Sequence, residues 1–167
     1  MIYAAHAVRR AGFALGGDVT LEAVIEEECS GNGALACVHA GYDADAVLIP
    51  EPFGPTIYTA QVGVMWFKVI VRGRPSHALS TQSGINALEK GIYLIEALRR
   101  LEERMNRKPL PAPYEGFEHP INLNIGIFHG GDWPSTVPAR AEIHGRLSYF
   151  PGESFESVCR RIEAAVE

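Results

Sequence analysis

Four glutamates and one histidine mark the places where this sequence could do chemistry. Glu26, Glu27 and Glu28 stand in a row in "VIEEECSGNG", directly behind an apolar run and directly before a glycine-rich stretch. Glu51 stands in "LIPEP", again just behind an apolar run. Like charges at this spacing repel and are costly to desolvate, so water, a helix N-terminus or a metal ion must compensate. Clustered carboxylates have two chemical uses. A divalent cation can hold them together through oxygen ligands, at about 2.0–2.2 Å for zinc. One carboxylate, its pKa raised by its neighbours, can instead act as a general base on water. A metal-bound water uses both arrangements. The competing reading is a solvated acidic loop with one glutamate stabilising the next helix N-terminus. His77 lies in "GRPSHA", a loop bounded by glycine and proline after a strand-like run; the competing reading is a loop histidine without a role. "HGGDWPSTVPA", residues 129 to 139, is more elaborate than a hairpin requires. Functional loops often carry such residues, and a long exposed turn is the alternative.

Positioning these side chains is the work of the elements around them. Residues 2–12 have a helical pattern, ended by Gly12 and Gly16-Gly17. "DVTLEAVI" (18–25) and "ADAVLIP" (44–50) have the β-branched, apolar character of short strands. Between them, residues 30–41 read as a helix with Ser30 as cap and Gly41 as stop. Helix, strand, helix, strand at this spacing predicts a βαβ unit in a mostly parallel sheet. Glu26–Glu28 and Glu51 then fall at the C-terminal ends of neighbouring strands, the edge where open α/β sheets carry their sites. The second half changes style. Strands are predicted over 64–73, 121–128 and 140–149, with inward residues including Ile121, Leu123, Ile125 and Ile127. A long amphipathic helix over 83–106 places Leu88, Ile92, Ile95, Leu98, Leu101 and Met105 on one stripe. A last helix aligns Phe155, Val158, Ile162 and Val166. The order β-α-β-β-α is one strand short of a ferredoxin-like sandwich.

Composition narrows the classes. The 167 residues are 47% hydrophobic and 21% charged, which fits a globular α/β chain of one domain or two small ones. The net charge of −5 argues against nucleic acid as a partner. No apolar run is long enough to cross a membrane, and the N-terminus lacks the pattern of a signal peptide. Three cysteines without a C-x-x-C fit a cytoplasmic location better than a disulfide framework. Both ends read as helix without punctuation, as expected of a piece of something longer.

In order along the chain, "EEECSGNGA", "IPEP", "VRGRPSHA" and "GGDWPSTVPA" resemble motifs of the di-zinc metallopeptidases and deacylases. That family includes acetylornithine deacetylase, succinyl-diaminopimelate desuccinylase, aminoacylase and related carboxypeptidases. The resemblance runs over essentially the whole chain. It implies a catalytic-domain portion over 1–62 and a lid or dimerisation domain over 63–167 that lacks its last strand. It makes Glu27 the general base, Glu28 a metal ligand and Glu51 a ligand of the second metal. It makes His77 a residue that reaches the partner subunit's site in a homodimer. Zinc is implied at two ions per site, with cobalt or manganese as alternatives, and the substrate is a small N-acylated amino acid or related amide.

The departures are as specific. The family's earlier H-x-D motif and its late histidine ligand have no counterpart here, so no zinc is expected to be bound by this chain alone. The loop asparagine is Ser135. The usual carboxylate-binding arginine falls at Ser148, and Arg146, two residues earlier on the same strand face, is the candidate replacement. A second function class follows from these gaps: a dimerisation and lid module with no activity of its own.

Overall fold

The structure, a computed structural model, describes residues 1–52, 54 and 56–167. The chain divides into two compact units, Met1–Ile57 and Tyr58–Glu167.

The first unit contains two short helices, α1 (Ile2–Arg10) and α2 (Asn32–His39), and neither buries a residue. The strands expected over 18–25 and 44–50 are not formed as strands. The residues meant to fill a core there are open to solvent, with Ile25 74%, Val47 78% and Leu48 82% exposed. The physical reason is that a parallel strand exists only through its ladder, and neither segment has a ladder partner among the described residues. The parallel-sheet expectation is therefore corrected for this unit.

The second unit is an α/β layer built on a small antiparallel sheet. Its strands are β1 (Gly63–Arg72), β2 (Leu123–Gly130) and β3 (Arg140–Tyr149), ordered β1-β3-β2. Between β1 and β2 runs α3 (Ala87–Met105); α4 (Phe155–Val166) follows β3. Alternation decides the faces. Met65 and Val71 of β1 and Ala141, Ile143 and Leu147 of β3 are buried, whereas Val64, Trp66 and Ile70 lie exposed on the open face. The buried side chains form two clusters. Met65, Leu98, Leu101, Ile121, Leu123, Leu147, Val158 and Ile162 belong to the larger, and Val71, Ala87, Ala141 and Ile143 make the smaller.

Local chemistry fixes the element ends. The Asn86 side chain accepts from Leu88 N–H (2.9 Å) and Glu89 N–H (3.3 Å) and starts α3. Ser154 accepts from Ser157 N–H at 3.2 Å and starts α4. Asn106 holds both backbone groups of Ile121, donating to its carbonyl (2.8 Å) and accepting from its N–H (3.0 Å). With Ile121 bonded to a side chain, the β2 ladder begins at Leu123 rather than at 121.

Three expectations about faces are corrected. Ile92 is 52% exposed, and Gly91 takes its place on the buried stripe. Phe128 explains this: a Cβ on Gly91 would stand 2.6 Å from its ring. Ile127 is 50% exposed because the β2–β3 register slips between Ile125 and Ile127, and this bulge turns Phe128 inward instead. Phe155 is 59% exposed, which leaves Val158 and Ile162 as the buried face of α4.

Candidate functional site

The acidic run of the first unit is a tight turn. Glu26 has φ 60°, a left-handed backbone uncommon outside glycine. Its carbonyl accepts the N–H groups of Cys29 (3.2 Å), Ser30 (3.1 Å) and Gly31 (2.9 Å), and Ser30 Oγ donates to its carboxylate. Glu26 is thus spent on the turn that leads into α2. Glu27 and Glu28 are exposed next to it, and Glu51 is exposed as well. Among the described residues no group of three or more His, Cys, Asp or Glu side chains is placed to hold a metal ion. The structure does not gather the three carboxylates into a site, and as they stand they do not fit a zinc ion, which needs about four donors.

The second unit brings its two motifs together. β1 ends at Arg72, and Arg74 and Ile85 then exchange backbone hydrogen bonds (2.9 and 2.8 Å) that close the loop carrying His77. Arg74 Nε donates to the Ser83 carbonyl at 2.9 Å and tightens the same closure. Against this loop lies the glycine-rich connection between β2 and β3. Ala78 N–H donates to the Ser135 carbonyl (2.9 Å), Val137 N–H donates to the Ser76 carbonyl (2.8 Å), and His77 pairs with Thr136. Two segments separated by more than fifty residues therefore form one rigid edge.

The His77 ring has a defined orientation. Leu79 N–H donates to its Nδ1 at 3.2 Å, so in the neutral ring the proton sits on Nε2. Nε2–H is a donor with no protein acceptor among the described residues, on an exposed side chain. Ser135 contributes its carbonyl to the staple, and its side chain is half-buried.

Arg146 is elsewhere. It pairs with Trp66 and Asn124 in the middle of the open sheet face. Six residues along β3 separate it from Arg140, roughly 20 Å at strand rise. One copy of the unit does not bring it to His77. Ser148 is only 2% exposed and donates to the Asn122 carbonyl at 3.3 Å, so it is a structural hydroxyl. The other notable charges on that face surround Glu142. Hydrogen bonds from Arg140 and His144, with Lys68 nearby, pull its carboxyl down to about 2.

A cavity of about 450 Å3 opens beside the His77 loop and is lined largely by the loop from Gly130 to Pro138. Asp132 and Trp133 line it. Neither was singled out from the sequence, where the only signal was the unusual composition of the loop.

A small antiparallel sheet backed by two helices, with a stapled histidine loop at one end, defines the class. The chain belongs to the peptidase dimerisation domain family, which it matches over residues 59–167. It is 26% identical over 174 residues to the N-formyl-4-amino-5-aminomethyl-2-methylpyrimidine deformylase of Bacillus subtilis, covering 98% of this chain and 40% of that protein. It is 29% identical over 121 residues to an acetylornithine deacetylase of Vibrio cholerae, covering 72% of this chain and 31% of the relative. A hydantoinase/carbamoylase family amidase from Burkholderia ambifaria shares the fold of 64% of the chain, at TM-score 0.50 and 16% identity, over 24% of its own length. The relatives are hydrolases, and the chain spans two fifths or less of the length of the two it matches by sequence. No helix among the described residues is long and apolar enough to cross a membrane.

Proposed function

We propose that this chain is part of a deacylating amide hydrolase that acts on small N-acylated amines or amino acids. The observation that carries the reading is the His77 loop. Its Nδ1 is occupied by Leu79 N–H, which leaves Nε2–H as a pre-oriented donor. It is locked to the Ser135 loop by backbone hydrogen bonds. A fixed donor aimed outward suits the oxyanion of a carbonyl under attack in a partner's site. The names of the deformylase and deacetylase relatives support the same class of bond.

In this scheme water adds to the acyl carbon and Glu27 takes its proton. The negative charge moves to the carbonyl oxygen, where His77 Nε2–H of a second copy donates to it. The C–N bond then breaks, and Glu27 passes the proton to the leaving nitrogen. Glu28 and Glu51 are proposed as carboxylate ligands of zinc, with cobalt or manganese as alternatives. Exposed carboxylates alone do not build that site, and no step above depends on the ion. Ser135 is proposed to touch substrate. Arg146, on the open face, is proposed to serve a carboxylate only in an arrangement that the homodimer creates. The site acts within a homodimer joined through residues 63–167, with 1–62 carrying the acids, and the protein is proposed to be cytoplasmic.

The test is made in the full-length protein. Glu27→Gln keeps the shape of the side chain but cannot take the proton, so turnover falls by about 10²–10⁴-fold with metal content unchanged. Glu28→Ala loses metal. Near-normal turnover of Glu27→Gln removes Glu27 as the base. A second reading has its own observation, the exposed and ungrouped carboxylates: the chain is a dimerisation and lid module without activity. Stoichiometric zinc on the purified 167-residue chain after dialysis would overturn it, and a monomer in sedimentation at high micromolar concentration removes the dimer.

A further inference from the structure

The cavity beside His77 has an unusual lining for a protein whose substrates could carry a carboxylate. Among the described residues no lysine, arginine or histidine lines it. Its polar side chains are Thr81, Asn86, Asp132 and Thr136 with the indole of Trp133, and Asn86 is already spent on capping α3. The Asp132 carboxylate has no hydrogen bond or ion pair among the described residues. It also lines an adjoining cavity of about 290 Å3 together with His129 and Arg140, and Arg140 is paired with Glu142. Trp133 is 66% exposed although the loop around it is fixed.

The loop is held on several sides. Gly130 lies so close to β3 that a Cβ would stand 2.7 Å from the Arg140 carbonyl. Gly131 has φ 75°, which favours glycine. Thr136 N–H closes a turn on the Trp133 carbonyl (3.1 Å), and Ala87 N–H bonds the Pro138 carbonyl (3.0 Å). Asp132 and Trp133 therefore stand on a rigid edge that also carries His77. A carboxylate without a partner accepts hydrogen bonds and attracts positive charge. An indole face stacks on a planar ring or on a cation. In the lining of the larger cavity a carboxylate-bearing ligand finds no cationic side chain to neutralise it.

We propose that Asp132 and Trp133 form the receptor for a nitrogen-bearing group of the substrate, an alkylammonium or an amino-substituted heteroaromatic ring. They select N-acylated amines of that kind over substrates that present a carboxylate to this loop. The proposal rests on the hydrolase reading for what the bound group is attached to, but binding itself needs neither metal nor turnover.

The experiment uses the 167-residue chain. The sequence has two tryptophans, so Trp66→Phe leaves Trp133 as the sole indole. This protein is titrated with n-butylammonium, with a 4-amino-5-aminomethylpyrimidine and with butyrate, read by indole fluorescence and by the backbone amide signals of residues 130–136. The nitrogen probes are expected to perturb both readouts saturably, and butyrate neither. Asp132→Asn should weaken binding about tenfold or more, as expected for a hydrogen bond to a charged group. Asp132→Glu should recover part of the loss. The tighter of the two nitrogen probes identifies the group as ammonium or ring. No saturable response to either nitrogen probe, an equal response to butyrate, or unchanged affinity in Asp132→Asn overturns the proposal. A chain that binds the probes inside a full-length protein that cleaves no amide keeps the receptor and removes the hydrolase reading. Turnover whose substrate preference ignores Asp132→Asn does the reverse.

Discussion

The first unit of this chain is the more apolar of the two by sequence, yet it is the second that buries its apolar residues. Met1–Ile57 has strand-like apolar runs but exposes them, and its helices bury nothing. Tyr58–Glu167 has runs of the same kind and buries Leu98, Ile121, Ile143, Leu147 and Val158 almost completely. The difference lies in pairing. β3 supplies ladder partners to both β1 and β2, and α3 and α4 cover the same face. The strand-like segments of the first unit have no such partner. Apolar residues drive burial only when their backbone hydrogen bonds can be satisfied at the same time.

Hydrogen exchange tests that contrast most severely. Amides of Leu98, Ile143 and Leu147 are expected to be protected by orders of magnitude more than those of residues 18–25 and 44–50, since only the former open through global unfolding. Equal protection in the two sets would break the comparison. Core truncation sharpens it. Leu98→Ala should cost about 2–5 kcal/mol of unfolding free energy in a denaturant titration. Leu35→Ala, at a site 51% exposed on α2, should stay within about 0.5 kcal/mol.

The next effect in size concerns a buried charge with a full set of donors. Glu102 accepts from Leu123 N–H (2.7 Å) and from Arg99 Nη1 (3.0 Å), and His119 Nε2 lies 3.1 Å away. Burial pushes its pKa up, but the Leu123 amide, His119 and Arg99 outweigh burial and hold it below the usual range. Glu102→Ala leaves the Leu123 N–H without its acceptor and should cost about 1–3 kcal/mol. The pH dependence has a definite sign. A carboxyl whose pKa is lower folded than unfolded stabilises the fold above its unfolded value, about 4.3. That stability is lost as pH falls through the folded value, so chemical denaturation from pH 5 downward should show an acid decline that Glu102→Ala flattens. Glu142 has the same sign, with a folded value of about 2, but it is solvent-screened and its share should be smaller. A modest loss is expected at a cap: Ser154→Ala should cost about 1 kcal/mol, read from the same titrations.

Much of the second unit was legible because strand alternation and helical periodicity are local. The 140–149 strand, the α3 span and the β-α-β-β-α order follow from residue type and spacing alone. The misplaced faces have non-local causes. Gly91 displaces Ile92 from the buried stripe because Phe128, thirty-odd residues later, occupies the space a side chain would need. Ile127 faces outward because of a bulge against β3, and no property of residues 121–128 announces that slip. The candidate site divides in the same way. His77 and the glycine loop could each be picked out as unusual, but their backbone pairing is a contact between distant segments.

By itself the sequence determined which segments could be helix or strand and which residues carried usable chemistry. These follow from side-chain chemistry and from periods of two and 3.6. Only the tertiary structure decided which apolar runs found partners, that Leu79 N–H holds His77 with Nε2–H outward, and that Asp132 and Trp133 line the cavity beside it. The Leu79–His77 bond is local, but the strand partners and the cavity lining depend on neighbours far along the chain, and proximity between distant residues is set by the packing of the whole layer, which no local pattern encodes.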